Sequence, residues 1–381
     1  MNVTTLLDKA KQSTDLHDLG DDSILEPLQR LVDALNNEAN LNAHGREAME
    51  KELVDTLANR LRVENHLKQH PELLAAPIVK PMFVFGLPRT GTTLLINLLN
   101  TDPQRRCLLR WESFDSVPPP RPEELSAGER YEKAQAISDM GLKYAPHISA
   151  IHHEDADSPS ECQFAMTPSF VSQYYDSILH IPSYRQWFLH DADYLPAFRY
   201  HKRFLQHLQQ HTGGRWTLKN PWHPLYLNAL TTVYPDAQLV MTHRDPVEVL
   251  GSASSLLKAV RPIFSDQVDL KDIAQCLLET FDLMIERSEQ YRATHGSDAI
   301  YDVLYTNMMR DPLGEIRKLY AQFDEPLTPA AEAAMQAYLD ANPKGKHGRH
   351  EYSIEEFGLT KQQVHERYRD YCERYGIITR G

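Results

Sequence analysis

The chain has 381 residues, with 40 lysines and arginines against 53 aspartates and glutamates, for a formal net charge of −13. That length buries one large core, or two modest ones, without extra stabilisation, and the negative field disfavours nucleic acid and anionic membrane surfaces as general partners. Cys107, Cys162, Cys276 and Cys372 are scattered and form no CxxC pair, so neither a disulfide framework nor a zinc site is suggested and a reducing cytoplasm is expected.

Met1 to Ala10 lacks a basic start and a long apolar core, and no run approaches the roughly 20 apolar residues of a membrane helix, so a soluble protein is expected. Residues 1–77 read as a helical extension, because Ile24, Leu28, Leu31, Val32 and Leu35 recur at three- and four-residue spacings. Ser23 with Glu26 offers a capping box at the start of that helix. The pattern changes at Ile78, and residues 78–381 are expected to form the main domain.

A compact apolar strand over Met82–Phe85 runs into Gly86-Leu-Pro-Arg-Thr-Gly-Thr-Thr93 and then a helix. Its two glycines let successive backbone N–H groups converge on an anion, and the hydroxyls of Thr92 and Thr93 add donors at the positive end of the helix. The nucleotide triphosphatase form of such a loop, GxxxxGK[ST], carries a lysine after the second glycine. Thr92 stands there instead, and the cation comes earlier, at Arg89. The loop keeps a phosphate grip without the triphosphate lysine.

Ser116-Val-Pro-Pro-Pro-Arg-Pro122 is expected to lie extended on the surface, since its prolines forbid a helix. Ile151-His-His-Glu-Asp-Ala-Asp157 gathers histidines and carboxylates, but a metal site would need further ligands converging from elsewhere, and acceptor recognition or solvated charge is the preferred reading. No metal is expected. Ser158, Pro159 and Glu161 suggest another capped helix start. The aromatics between Phe164 and Tyr200 favour packing of a helical lid over an acceptor pocket.

Trp216-Thr-Leu-Lys-Asn-Pro-Trp-His223 carries a second cation, Lys219. A second strand, turn and helix over Leu239–Leu257 sets Arg244 and Ser252 eight positions apart. A further strand is expected at Ala299–Tyr305 and a helix at Pro312–Phe323, followed by the basic, glycine-spaced segment Pro343-Lys-Gly-Lys-His-Gly-Arg-His350. Strands separated by long helical segments predict an α/β fold with a parallel sheet covered on both faces and ligands at the strands' carboxyl ends. No internal repeat is visible.

Leu87-Pro-Arg-Thr-Gly-Thr-Thr93 resembles the 5′-phosphosulfate loop of sulfotransferases that use 3′-phosphoadenosine 5′-phosphosulfate (PAPS), in the PR[ST]GTT form of the tyrosylprotein and many bacterial branches. Ala237 to Ser255 is similar to the family's 3′-phosphate segment, in which an arginine and a serine eight positions apart hold that phosphate. The resemblance covers about residues 79 to 360. It implies a three-layer P-loop-type sandwich with a central parallel sheet, to which the N-terminal helices are an addition. It also implies PAPS as co-substrate, and a hydroxyl or amine of a small-molecule, lipid or carbohydrate acceptor.

Sulfuryl transfer relies on in-line positioning, neutralisation of the departing phosphate and removal of the acceptor proton. By resemblance, Arg89 is the cation bridging phosphate and sulfate oxygens, Lys219 steadies the transferred group, and Thr90, Gly91, Thr92 and Thr93 donate to the 5′-phosphate. Arg244 and Ser252 take the 3′-phosphate, with the basic segment 343–350 over it. Glu112, 23 positions beyond Arg89, matches the base of the tyrosylprotein branch after a short insertion, and His153 is its rival because cytosolic members use a histidine. Against these stand ordinary structural roles: a solvated Glu112, an exposed Lys219, an Arg244–Asp245 salt bridge and a helix-surface Ser252. A P-loop kinase or ATPase and a non-catalytic nucleotide-binding protein remain open, as do acceptor identity and homo-oligomerisation.

Overall fold

In the computed structural model the described residues are 1–144, 155–343 and 352–379. Strand β1, Met82–Gly86, carries no polar side chain and is buried throughout. It lies at the centre of a five-stranded parallel sheet with β2 (Arg105–Cys107), β3 (Arg215–Lys219), β4 (Gln238–His243) and β5 (Tyr301–Leu304), in the order β2-β3-β1-β4-β5. Val84 pairs with Lys219 on one side, and Gly86 pairs with Thr242 on the other. Because the three central strands run parallel in this register, the loops after β1, β3 and β4 leave the same edge of the sheet side by side.

Alternation along the strands sends successive side chains to opposite faces. Phe83, Phe85, Leu218, Leu239 and Met241 join one apolar core with the N-terminal helices. Met82, Val84, Val240 and Val303 join another, with α4 (Thr92–Asn100) and with Ile316, Leu319 and Met335. This is the three-layer α/β architecture that the family resemblance implies. The N-terminal helices α1 (Val3–Thr14), α2 (Leu25–Asn37) and α3 (Ala43–Gln69) form as the periodicity predicts.

Several local expectations are overturned. The capping box at Ser23 and Glu26 does not form; Asp21 accepts from the Ser23 N–H (2.8 Å) at the head of a short 3₁₀ turn that leads into α2. The proline-rich connector does not begin on the surface. Ser116 is fully buried, donates to the Glu112 carbonyl (2.7 Å) and receives the Asn59 amide (2.9 Å), which tethers the segment beneath α3. β2 was not expected at all, since an Arg-Arg pair reads as solvated. Both guanidiniums are buried and paired: Arg105 with Glu325 and with Thr217 (2.9 Å), Arg106 with Glu112 and over the Trp216 ring at 4.4 Å. Among the described residues no helix is long and apolar enough to cross a membrane.

Candidate active site

The loop between β1 and α4 holds its shape through an unusual backbone. Gly86 (φ 147°) and Gly91 (φ 98°) lie in the left-handed region, and a Cβ on Gly86 would stand 2.3 Å from the Thr242 carbonyl oxygen. On Gly91 a Cβ would stand 2.8 Å from the Tyr305 ring, so both positions demand glycine. Arg89 also adopts φ 70°, which costs a side-chain-bearing residue about 1–2 kcal/mol. The surroundings offset this. Thr90 is buried, its hydroxyl donates to the Leu87 carbonyl (2.6 Å) and meets the Thr242 hydroxyl at 2.6 Å, and Arg244 Nη1 donates to the Arg89 carbonyl at 2.9 Å. Thr90 thus fastens the turn to β4, while Gly91, Thr92 and Thr93 at the head of α4 line the cleft beside it.

The second predicted unit arrives beside the first. Asp245 caps helix α8 (Pro246–Phe264) by accepting from the Val247 N–H at 3.0 Å, and Pro246 takes the first helical position, where no N–H is missed. Arg89 Nε donates to the Ser252 hydroxyl at 3.1 Å, so the two strand-turn-helix units are joined through two of the residues that the sequence singles out. Arg244 lies 4.3 Å over the Tyr305 ring and donates twice to Glu248 (2.8 and 2.5 Å). Among the described residues Arg89 makes no ion pair. Burial, followed by the neighbouring Arg244 charge, pushes its basicity down, which is the signature of a cation short of counter-charge.

Lys219 ends β3 in register with Val84, its side chain 1% exposed and its Nζ 3.1 Å from Glu161 Oε1. Glu161 is not the end of a capping box. The helix it precedes, α6 (Cys162–Met166), begins only after it, with no side-chain cap; the Ser158 hydroxyl instead accepts from the Asp155 N–H at 2.9 Å. Freed from capping, Glu161 receives the Gln163 amide on its other oxygen at 2.5 Å. Glu112 is placed where no acceptor can reach it. It is 0% exposed in α5 (Arg110–Phe114), Arg106 donates to both of its carboxylate oxygens (2.5 and 3.2 Å), and the Leu109 N–H donates to Oε2 at 3.0 Å. His153 and residues 344–350 of the basic segment lie outside the described residues.

Arg89, Gly91, Thr92, Thr93, Arg244, Tyr305 and Glu161 border one cleft of about 740 Å³. At its polar end stand Arg89, Gly91, Thr92, Thr93 and Arg244, with Glu161 and Gln163 next to them. The apolar wall of the same cleft comprises Phe114, Phe164, Ile178, Leu256, Leu257 and Val260, with the Arg110 guanidinium 5.6 Å over both the Phe114 and Phe164 rings. The aromatic stretch is divided by this arrangement: Phe164 and Tyr174 face the cleft, whereas Phe170, Tyr184, Phe188 and Phe198 are core. Tyr174, in α7 (Gln173–Ile178), donates to Glu52 of α3 at 3.0 Å, and burial raises that carboxyl to about 7. Among the described residues no group of three or more histidine, cysteine or acidic side chains is arranged to hold a metal ion.

Glu161, Tyr305 and Phe114 are cleft residues that sequence reasoning assigned to no site. Tyr305 had one signal, its place at the end of a predicted strand beside the two phosphate loops; Glu161 and Phe114 had none.

Comparison with known proteins agrees with this geometry. Residues 81–329 match the profile of the Sulfotransferase family. The chain is 23% identical over 309 residues to omega-hydroxy-beta-dihydromenaquinone-9 sulfotransferase Stf3 of Mycobacterium bovis, a match spanning 78% of this chain and 75% of that protein. The crystal structure of sulfotransferase STF9 from Mycobacterium avium superposes with a TM-score of 0.93 at 31% identity, covering 100% of this chain and 98% of that one. STF1 from Mycobacterium tuberculosis H37Rv gives 0.85 at 32% identity, over 97% and 98%. With the phosphate loop, the Arg244–Ser252 unit and the sheet that joins them all in place, the chain belongs to the sulfotransferase family.

Proposed function

We propose that this protein transfers a sulfuryl group from PAPS to a hydroxyl of an apolar, lipid-like or aromatic acceptor. The observation that carries the proposal is the continuity of the cleft: a phosphate loop whose Arg89 has no ion-pair partner among the described residues opens directly onto an apolar wall. PAPS would supply a sulfuryl unit already bonded to a phosphate leaving group. The protein's own groups fit it: the α4 N-terminus and Arg89 suit the 5′-phosphosulfate, and Arg244 and Ser252 suit the 3′-phosphate, with Arg244 exchanging or sharing Glu248. Arg89 then neutralises charge growing on the leaving phosphate, while buried Lys219 acts on the transferred group from the sheet side.

Glu112 serves the fold under this reading, since its carboxylate is committed to Arg106 and the Leu109 N–H. The name of the Mycobacterium bovis relative describes a hydroxylated menaquinone as its substrate, which supports a lipid-like acceptor for a cleft lined as this one is. Calorimetry with adenosine 3′,5′-bisphosphate against ATP plus magnesium, followed by transfer from radiolabelled PAPS to long-chain alcohols and phenols, tests the proposal. Tight bisphosphate binding and labelled product are expected. Preference for ATP would replace it with a kinase-type reading, and bisphosphate binding without any product would leave a non-catalytic nucleotide-binding protein.

A further inference from the structure

The reaction needs a group to receive the acceptor's proton, and we infer that Glu161 is that group; the assignment rests on the sulfotransfer reading above. Among the described residues bordering the cleft, Glu161 is the sole carboxylate, and no histidine stands there. Its place is the junction between the two ends. It forms a parallel bridge with Lys219, whose strand partner is Val84 of β1, so it lies two strand positions across the sheet from the start of the phosphate loop. Its charge acts on Arg89. Two residues further along the same segment comes Gln163, and then Phe164, the beginning of the apolar wall.

The carboxylate is also held as a base must be. Lys219 Nζ takes one oxygen at 3.1 Å and the Gln163 amide takes the other at 2.5 Å, and each oxygen keeps a further lone pair. Its side chain is 11% exposed, enough to be reached from the cleft but not to be flooded by solvent. In the transfer step an acceptor oxygen bonds to sulfur, its proton passes to Glu161, and the bond from sulfur to the 5′-phosphate oxygen breaks. The electron pair stays on that phosphate oxygen, where Arg89 meets the charge. Lys219 then faces a neutralised partner, and its cation becomes available to the sulfuryl oxygens at the moment charge shifts among them.

The same contacts would equally let Glu161 act only as a clamp on Lys219, so the test must separate a base from a positioning residue. Glu161→Gln should be compared with wild type on dodecanol, phenol, 2-naphthol and 4-nitrophenol, together with bisphosphate calorimetry and thermal unfolding. A base contributes roughly 10²–10⁴-fold, so a loss of at least about 100-fold in kcat/KM is expected with dodecanol and phenol, shrinking below about tenfold with acidic 4-nitrophenol. Bisphosphate affinity should stay within about twofold. Because Gln leaves the Lys219 charge without its partner, Glu161→Asp is the second variant. It keeps the charge pair, withdraws the carboxylate, and is expected to lose about tenfold or more in kcat with wild-type thermal stability.

A loss of equal size across all acceptors would overturn the assignment in favour of a clamp. The acceptor-dependent loss appearing in His153→Ala, with Glu161→Gln near wild type, would overturn it in favour of that histidine. Wild-type turnover with a full-rate Glu161→Gln sinks this assignment alone. Bisphosphate that fails to bind wild type, with no product from any acceptor, sinks the sulfotransfer reading and this assignment with it.

Discussion

Arg89 combines three properties in one residue: a left-handed backbone, a half-buried guanidinium without an ion-pair partner among the described residues, and a hydrogen bond to Ser252. Two substitutions separate the backbone from the charge. Arg89→Ala should lower kcat roughly 10²–10³-fold, the scale of removing a donor aimed at developing charge. Arg89→Gly should lose the same turnover yet unfold at higher denaturant than Arg89→Ala, because glycine removes a conformational cost of about 1–2 kcal/mol. Equal stability of the two would show that the turn bears no strain there. Ser252→Ala should weaken bisphosphate binding by roughly 1.5–3 kcal/mol, about 10- to 150-fold, read by calorimetry.

Glu52 behaves differently, since burial raises its carboxyl from the ordinary 4.5 to about 7 while Tyr174 donates to it. A carboxyl whose folded value is raised contributes its full stability below its unfolded value and loses it as pH climbs from about 4.5 through about 7. Glu52→Gln keeps an acceptor for Tyr174 and cannot ionise. At pH 8 it should exceed wild type by of the order of 1–3 kcal/mol in denaturant unfolding, with the difference gone at pH 4.

At the scale of elements, the N-terminal helical extension shares a core with the sheet. Leu53, Leu57 and Leu61 of α3 are fully buried in the same core as Phe83 and Phe85 of β1, and buried Arg60 donates to the Pro168 carbonyl at 3.1 Å and covers the Tyr200 ring at 4.2 Å. α3 therefore backs the segment that supplies part of the cleft's apolar wall. Deleting residues 1–77 should abolish cooperative thermal unfolding instead of releasing a folded catalytic domain; a cooperative transition in the truncated chain would restore the two-part description. The strand, turn and helix units were legible because their signals are local: apolar runs, a glycine pair, Pro246 just inside a helix. β2 was not legible, because Arg105 and Arg106 become strand residues only when Glu325, Thr217, Trp216 and Glu112 neutralise or cover them.

At the scale of the whole molecule, the face of the sheet opposite α4 accumulates histidines that burial keeps neutral. His201 is lowered to about 3, His207 to about 4, and His223 well below its ordinary value, all by desolvation. Among the described residues neither ring nitrogen of His223 has a hydrogen-bond partner, and the ring lies 5.2 Å from Phe83 and 5.6 Å from Tyr226 between ring centroids. A histidine with a depressed folded value contributes stability above its unfolded pKa of about 6.5, and that stability declines as pH falls toward the folded value. Each such group adds a slope of about 1.4 kcal/mol per pH unit, so unfolding free energy should drop steeply between about pH 6 and 4. Denaturant curves across that range check this, and His223→Phe should flatten the drop by about one proton's worth.

Sequence alone determined the order of the two strand-turn-helix units and the class of fold, because a glycine-bracketed turn, a helix start and the apolar runs before them are properties of contiguous backbone. Tertiary structure alone decided which charges are spent and which are left. Glu112 is consumed by Arg106, Arg244 shares Glu248, Lys219 lies against Glu161, and Arg89, which borders the cleft, makes no ion pair among the described residues. The reason is desolvation: a buried charge must find its counter-charge, and the fold brings that partner from elsewhere in the chain at a distance no local pattern encodes.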